Sequence, residues 1–248
     1  MKSLPKVFFV TGTDTAVGKT LVCATLLAGL KAAYWKPIQS GRQPQTDTQW
    51  IRTVTALDAS HFFPEQYLFS TPLSPHAAAA QDGLKIELDY FKLPDCRHFP
   101  HLIVEGAGGL MVPLNERYLM IDLIQHLNLP VLLVARSSLG TINHTLLSLA
   151  QLYSRGLSVL GVVLNGPANA SNRQAIEHWG QVPVLAEIEP VAHIGRQTLS
   201  EIFAERFKVE HARVNSQERL PDLASLHADE NCAEAAECGA RARSHPGD

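Results

Sequence analysis

The sequence is poor in cysteine and lacks paired cysteines. Its four thiols, Cys23, Cys96, Cys232 and Cys238, are spread over 248 residues. None forms a CxxC pair, so neither a zinc ribbon nor a disulfide framework is indicated. Positive charge is not in excess either. Lysine and arginine number 21 against 24 acidic residues, which removes the basic field that drives nonspecific nucleic-acid binding. No apolar run approaches the ~18–20 residues a bilayer span takes. The short run 7–10 lies after Lys2 and Lys6 but ends at once in Thr-Gly, which does not read as a signal peptide. A repeat at solenoid periods is also missing. The expectation is a cytoplasmic protein in a reducing setting, with no nucleic-acid or membrane partner.

What is present is an ordinary globular composition, 46% apolar and 18% charged. A chain of this length buries roughly 70–75% of the surface its unfolded form exposes. Short apolar runs alternate with helix-length segments. Strand candidates are 6–10, 33–36, 101–105, 130–135, 158–164 and 182–188. Helix candidates are 21–33, 46–57, 119–127, 141–154, 171–179 and 194–207. The strands are continuously apolar rather than alternating, as strands covered on both faces are. This order predicts an α/β fold: a doubly wound, mostly parallel sheet of six or seven strands with helices on both faces. Two regions break the rhythm. Segment 58–100 carries Pro64, Pro72, Pro75, Pro94 and Pro100 and reads as an excursion with one or two short helices. Segment 209–248 has few large apolar residues and reads as a disordered or loosely docked tail. Residues 1–208 are thus expected to form one domain.

The strongest chemical signal is Gly12-Thr13-Asp14-Thr15-Ala16-Val17-Gly18-Lys19-Thr20. It follows a strand candidate and opens a helix candidate that continues from Leu21, the context a phosphate-binding loop needs. Glycines let the backbone curl until successive N–H groups face an anion, and the helix N-terminus adds its dipole. Lys19 reaches the β- and γ-phosphates and the Thr20 hydroxyl serves Mg²⁺ in such loops. The glycine spacing is one residue longer than in the usual phosphate loop. The motif implies a P-loop nucleoside triphosphatase type of site without choosing a reaction.

Further features sit at predicted C-terminal strand ends, where open α/β sheets bind ligands. Lys36, fixed by Pro37 and followed by Ser40 and Gly41, can meet an anion; the same spacing is equally that of a surface lysine at a turn. The run Leu102-Ile-Val-Glu105-Gly-Ala-Gly108-Gly109 delivers a carboxylate and then leaves room for a substrate. Beside a phosphate loop, a metal-binding Glu105 is the favoured reading. Asp47 lies in a polar stretch before a helix, and from the residues alone N-capping is the favoured reading. Ser74-Pro75-His76 can start a helix. So can Gly140-Thr141-Ile-Asn143-His144, whose free N–H groups suit a carboxylate.

Together these motifs resemble the dethiobiotin synthetase family of biotin synthesis. The resemblance covers roughly residues 7–188, through GTDTAVGKT at 12–20, KPIQSG at 36–41, SPH at 74–76, VEGAGG at 104–109, LGTINH at 139–144 and LNG at 164–166. The long loop spacing is the one this family uses. The resemblance implies an ATP- and Mg²⁺-dependent reaction. CO₂ and 7,8-diaminopelargonate give dethiobiotin, ADP and phosphate, through a carbamate and its mixed anhydride with phosphate. Lys36, Lys19 and Thr15 take catalytic roles on this reading. The loop residues 12–21, with Asn165, Glu187, Ile188 and Glu189, hold the nucleotide. Thr20, Asp47 and Glu105 hold the metal. Lys36, Ser40, Gly108, Thr141 and Asn143 face the substrate. A homodimer is implied, with the substrate site at the subunit interface and apolar residues such as Leu110, Met111 and Val112 explained by it. Three departures stand out: Ala16 where some relatives have Glu, Glu189 inserted between Ile188 and Pro190, and Ser138 where some relatives have lysine. A partition-type or regulatory ATPase of the same fold is the competing reading. Such proteins usually carry a second lysine early in the loop, and none lies between Thr13 and Val17.

Overall fold

The computed structural model describes residues 4–207; the expected tail at 209–248 lies outside the described residues. Nine strands and seven α-helices follow one another among these residues. The strands are β1 (Val7–Gly12), β2 (Ala33–Trp35), β3 (Ile38–Ser40), β4 (Phe62–Phe63), β5 (Tyr67–Phe69), β6 (Leu102–Gly109), β7 (Val131–Arg136), β8 (Val159–Asn165) and β9 (Val184–Ile188). The helices are α1 (Lys19–Leu30), α2 (Asp47–Thr55), α3 (Pro75–Gln81), α4 (Met120–Leu127), α5 (Thr141–Ser154), α6 (Ala170–Gly180) and α7 (Arg196–Arg206).

The main sheet has seven strands in the order β4-β2-β6-β1-β7-β8-β9. Every pairing within it is parallel, so the expected "mostly parallel" sheet is wholly so. The apolar runs are continuous because both faces are covered. Phe8 and Val10 pack with α1, α2 and α7, among Leu26, Leu27, Ile51, Leu199 and Ile202. Phe9, between them, points the other way, into a cluster with Trp35, Val104, Ala78, Ile121 and Ile124. Leu133, Val162 and Leu164 extend that second face against Leu149 of α5 and Ile176 of α6. Each fully buried Leu, Ile or Phe contributes about 1.5–3 kcal/mol relative to an exposed one, so both layers are held firmly.

The excursion at 58–100 contains more than short helices. Phe62–Phe63 forms the edge strand β4 beside β2. Ile38–Ser40 and Tyr67–Phe69 pair as a separate two-stranded parallel ribbon. Pro37 ends β2, and the chain resumes as β3 outside the main sheet. Helix α1 begins at Lys19, two residues before the sequence-based boundary. Asp47 is not a cap: Thr46 caps α2, accepting from Gln49 N–H, while Gln49 Oε1 accepts from Thr46 N–H. Asp47 is the first helical residue.

Candidate active site

The order β2-β6-β1 puts three segments distant in sequence side by side. Strand β1 feeds the phosphate loop, β2 ends just before Lys36, and β6 carries Glu105. The register sets Tyr34 opposite Ile103 and Val10 opposite Glu105. A cavity of about 560 Å³ opens over these strand ends. It is lined by Thr15, Ala16, Gly18, Lys19, Thr20, Lys36, Ser40, Asp47, Glu105 and Gly108, among others. The residues assigned to phosphate, metal and carbamate are therefore brought together.

The loop closes on itself. Lys19 Nζ donates to the Asp14 carbonyl at 2.9 Å. One Asp14 carboxylate oxygen accepts from Thr15 N–H at 2.7 Å, and the other pairs with Arg136 at 2.9 Å. Gly18 has φ +97°, and a Cβ there would lie 2.0 Å from Asn165 Nδ2. Only glycine fits that backbone and that approach. Asn165 in turn donates to the Val17 carbonyl at 3.1 Å, so it braces the loop from β8. Ala16 holds φ +57°, a left-handed conformation that costs an L-residue roughly 1–2 kcal/mol.

Glu105 is the electrostatic hub. It is fully buried. Its Oε1 accepts from Thr20 Oγ1 at 3.0 Å and from Lys36 Nζ at 2.9 Å. Its Oε2 accepts from the Tyr34 hydroxyl at 2.8 Å. Lys36, itself buried, also pairs with Asp47 Oδ2 at 2.6 Å. Burial alone pulls the Lys36 ammonium down, but the Glu105 and Asp47 carboxylates outweigh it and hold it above the usual lysine range. Lys19 feels the same two carboxylates from farther away and makes no ion-pair contact with either. Burial lowers it to about 8, with Glu105 pulling the other way. Burial and then the Glu105 charge raise the Tyr34 phenol well above its ordinary value, so it remains a neutral donor.

The donor set suits a hard divalent cation. Thr20, Asp47 and Glu105 offer only oxygens, two of the three groups are carboxylates, and a phosphate-binding loop adjoins them. The Lys36 ammonium, between the two carboxylates, is a stand-in cation at that place. Ser40 Oγ is buried without a hydrogen-bond partner and sits on the cavity wall, so it is free to meet a ligand.

Other assigned residues lie elsewhere. Glu187 pairs with Arg173 at 3.2 Å and lines a second, separate cavity of about 420 Å³ at the β9 edge. Ile188 is core, and Glu189 pairs with Arg206. Thr141 is buried at the start of α5 near Thr145, and neither it nor Asn143 lines the main cavity. The apolar trio also divides. Leu110 is a core residue, Met111 is exposed, and Val112 borders the main cavity. Leu110 therefore needs no subunit interface to explain it.

Sequence reasoning missed three participants. Tyr34 precedes Lys36 by two and so shares its strand face, a signal that was available. Gln39 Oε1 accepts from Asp47 N–H; Arg136 holds Asp14. Gln39 lies inside the KPIQSG run, whereas Arg136 carries no local sequence signature.

The parallel sheet, the loop and its lysine define a P-loop nucleotide-binding protein. A ParA family ATPase from Chlorobium tepidum TLS shares the fold with a TM-score of 0.50 at 12% identity, over 82% of this chain and 98% of that one. The AAA domain family model matches residues 6–198. At the level of sequence the chain is 50% identical to the ATP-dependent dethiobiotin synthetase BioD of Paramagnetospirillum magneticum, over 77% of this chain and 92% of the relative. It is 44% identical to the BioD of Nitrobacter hamburgensis, over 81% of this chain and 94% of the relative. The chain belongs to the ATP-dependent dethiobiotin synthetase family. A partition-type ATPase is not favoured, since that likeness rests on fold alone. Among the described residues no helix is long and apolar enough to cross a membrane.

Proposed function

We propose that this chain is a dethiobiotin synthetase, an ATP-dependent ligase that closes a cyclic urea on 7,8-diaminopelargonate with CO₂. The observation that carries the site assignment is the meeting of two buried lysines, Lys19 and Lys36, with Glu105 in one cavity. The reaction brings two anions together, a substrate carbamate and the γ-phosphate of ATP, and fixed cations offset that repulsion.

One substrate amine attacks CO₂ and loses a proton, giving the carbamate. A carbamate oxygen attacks the γ-phosphorus, and the bond to the ADP oxygen breaks. The second amine then attacks the carbonyl carbon, loses its proton, and phosphate leaves. Lys19 holds the β- and γ-oxygens. Lys36 acts on the carbamate. Thr15 and Ser40 donate hydrogen bonds to the transferring group and the carbamate, and Gly108, which lines the cavity, faces the substrate; its φ of +69° and the approach of Val112 favour glycine there. Thr20, Asp47 and Glu105 would hold Mg²⁺, which when bound would offset the negative charge of the phosphates. No side chain forms a covalent bond to substrate; positioning supplies much of the rate.

Asn165 reads the adenine, with 187–189 beside the base; the support is that Asn165 already lies against the loop. Thr141 and Asn143 hold the substrate's distal carboxylate across a homodimer interface. Leu139, just before α5, and Leu147 on α5 are both exposed apolar residues and support such an interface. The whole machinery falls within residues 1–208, one synthetase domain.

The deciding experiment measures phosphate release from ATP and Mg²⁺, with and without diaminopelargonate and bicarbonate, with mass spectrometry of the product. Release that depends on both additions and yields the cyclic urea is expected. Release indifferent to the diamine would sink the substrate assignment.

A further inference from the structure

The two oxygens of Glu105 keep unequal company. Oε1 meets Thr20 and Lys36, both of which line the cavity and are assigned to ligands. Oε2 accepts from the Tyr34 hydroxyl at 2.8 Å, and the buried Cys23 thiol, a weaker donor, also lies against this carboxylate. Tyr34 is fully buried, does not line the cavity, and is absent from every role above. We propose that Tyr34 is the positioning residue of the metal-holding carboxylate: its O–H fixes Glu105 Oε2, and Oε1 is thereby kept turned to Thr20, Lys36 and the cavity. The proposal deepens the reading of Thr20, Asp47 and Glu105 as the Mg²⁺ site and rests on it.

The chemistry of the donor matters. A buried carboxylate oxygen without a hydrogen bond is costly. A cation on Oε2 would satisfy it but would neutralise the charge that a divalent ion needs. A phenol satisfies it and leaves the charge in place. Lys36 and Tyr34 thus differ in kind: the first is a cation where a metal would sit, and the second orients without competing. Strand geometry makes the arrangement stable, because Tyr34 and Lys36 lie on the same face of the chain leaving β2 while Trp35 is anchored on the other by its Nε1–H to the Pro64 carbonyl. Groups that orient a ligating carboxylate typically contribute 10–100-fold in metal affinity.

The test titrates Mn²⁺ into the full-length protein with ADP and reads free metal by electron paramagnetic resonance. The parent, Tyr34→Phe, Glu105→Gln and the double variant are compared. Tyr34→Phe is expected to bind Mn²⁺ roughly 10–100-fold more weakly, with metal-free ADP affinity unchanged and no further loss on the Glu105→Gln background. If Glu105→Gln weakens Mn²⁺ while Tyr34→Phe stays within twofold of the parent, the Tyr34 proposal falls and the metal reading stands. If Glu105→Gln binds Mn²⁺ as the parent does, the metal reading itself falls. Equal losses on both backgrounds, or a parallel fall in metal-free ADP affinity, reduce Tyr34 to packing and overturn the proposal. Should Tyr34→Phe not fold, 3-fluorotyrosine at position 34 keeps the ring and alters the donor; an unchanged Mn²⁺ affinity then overturns it as well.

Discussion

Two cavities of similar size behave as opposites. The one over β1, β2 and β6 is lined by charges taken out of water: Lys19, Lys36 and Glu105 are all under a tenth exposed. The one at the β9 edge is lined by Arg173, Glu187 and Arg206, and the arginines there are about two-fifths exposed. Burying a charge is expensive unless it is paired, whereas exposed ion pairs contribute about 0–1 kcal/mol each. The first cavity therefore stores electrostatic energy that a ligand can use. The second is a surface groove stitched by ordinary ion pairs. Charge alone does not mark an active site; desolvated charge aimed at a shared space does.

The contrast breaks most sharply at Lys36. Lys36→Gln is expected to lower turnover by 10²–10³-fold or more, as loss of one electrostatic stabiliser does, while ATP affinity changes only a few-fold. Nucleotide titration beside steady-state kinetics checks it, and an equal fall in both would remove Lys36 from the chemistry. Next in size is Gly18→Ala. Left-handed strain and the collision with Asn165 together should cost about 2–4 kcal/mol of stability and weaken ATP binding, read by urea denaturation and by titration. A variant as stable as the parent would mean the loop is not braced by Asn165.

The third prediction uses pH. Lys19 titrates at about 8 in the fold because burial disfavours its charge, and at about 10.4 in the unfolded chain. Between these values the unfolded state binds more protons, so stability rises with pH. The penalty is complete below pH 8 and fades above it. The nucleotide- and metal-free protein should gain roughly 1–2 kcal/mol relative to Lys19→Met between pH 8 and 9.5. Parallel urea midpoints for the two proteins over that range would refute the desolvated lysine. The smallest effect is expected in the groove. Arg173→Ala should cost under ~1 kcal/mol and leave kcat and the KM for ATP within twofold. A larger rise in KM would show that the Arg173–Glu187 pair itself supports the adenine site and would soften the distinction between the cavities.

How much of this was legible before the structure varied with the kind of signal. The strand-loop-helix at 7–30 was readable because its geometry is local. Gly18, Lys19 and Thr20 act through their own backbone and the turn of helix they open. Lys36 was ambiguous in sequence, as compatible with a turn as with chemistry, and Asp47 read from its neighbours alone as a helix cap. Their meaning came from being 2.6 Å apart. Strand β4 was missed because two residues cannot display a period. The β3–β5 ribbon was missed because Pro37 masks the strand that follows it. Glu187 is placed at the nucleotide by resemblance alone, and its pairing with Arg173 was not legible because the two residues belong to different elements.

The sequence by itself determined the α/β class, the phosphate loop and the family, because these reside in short-range periodicity, in glycine stereochemistry and in motifs of contiguous residues. Tertiary structure alone decided that β2, β6 and β1 are neighbours. That adjacency is what places the carboxylate of residue 105 against the lysine of residue 36, the hydroxyl of residue 20 and the phenol of residue 34. Strand order is settled by the burial of both sheet faces at once, a property of the whole core that no single segment encodes.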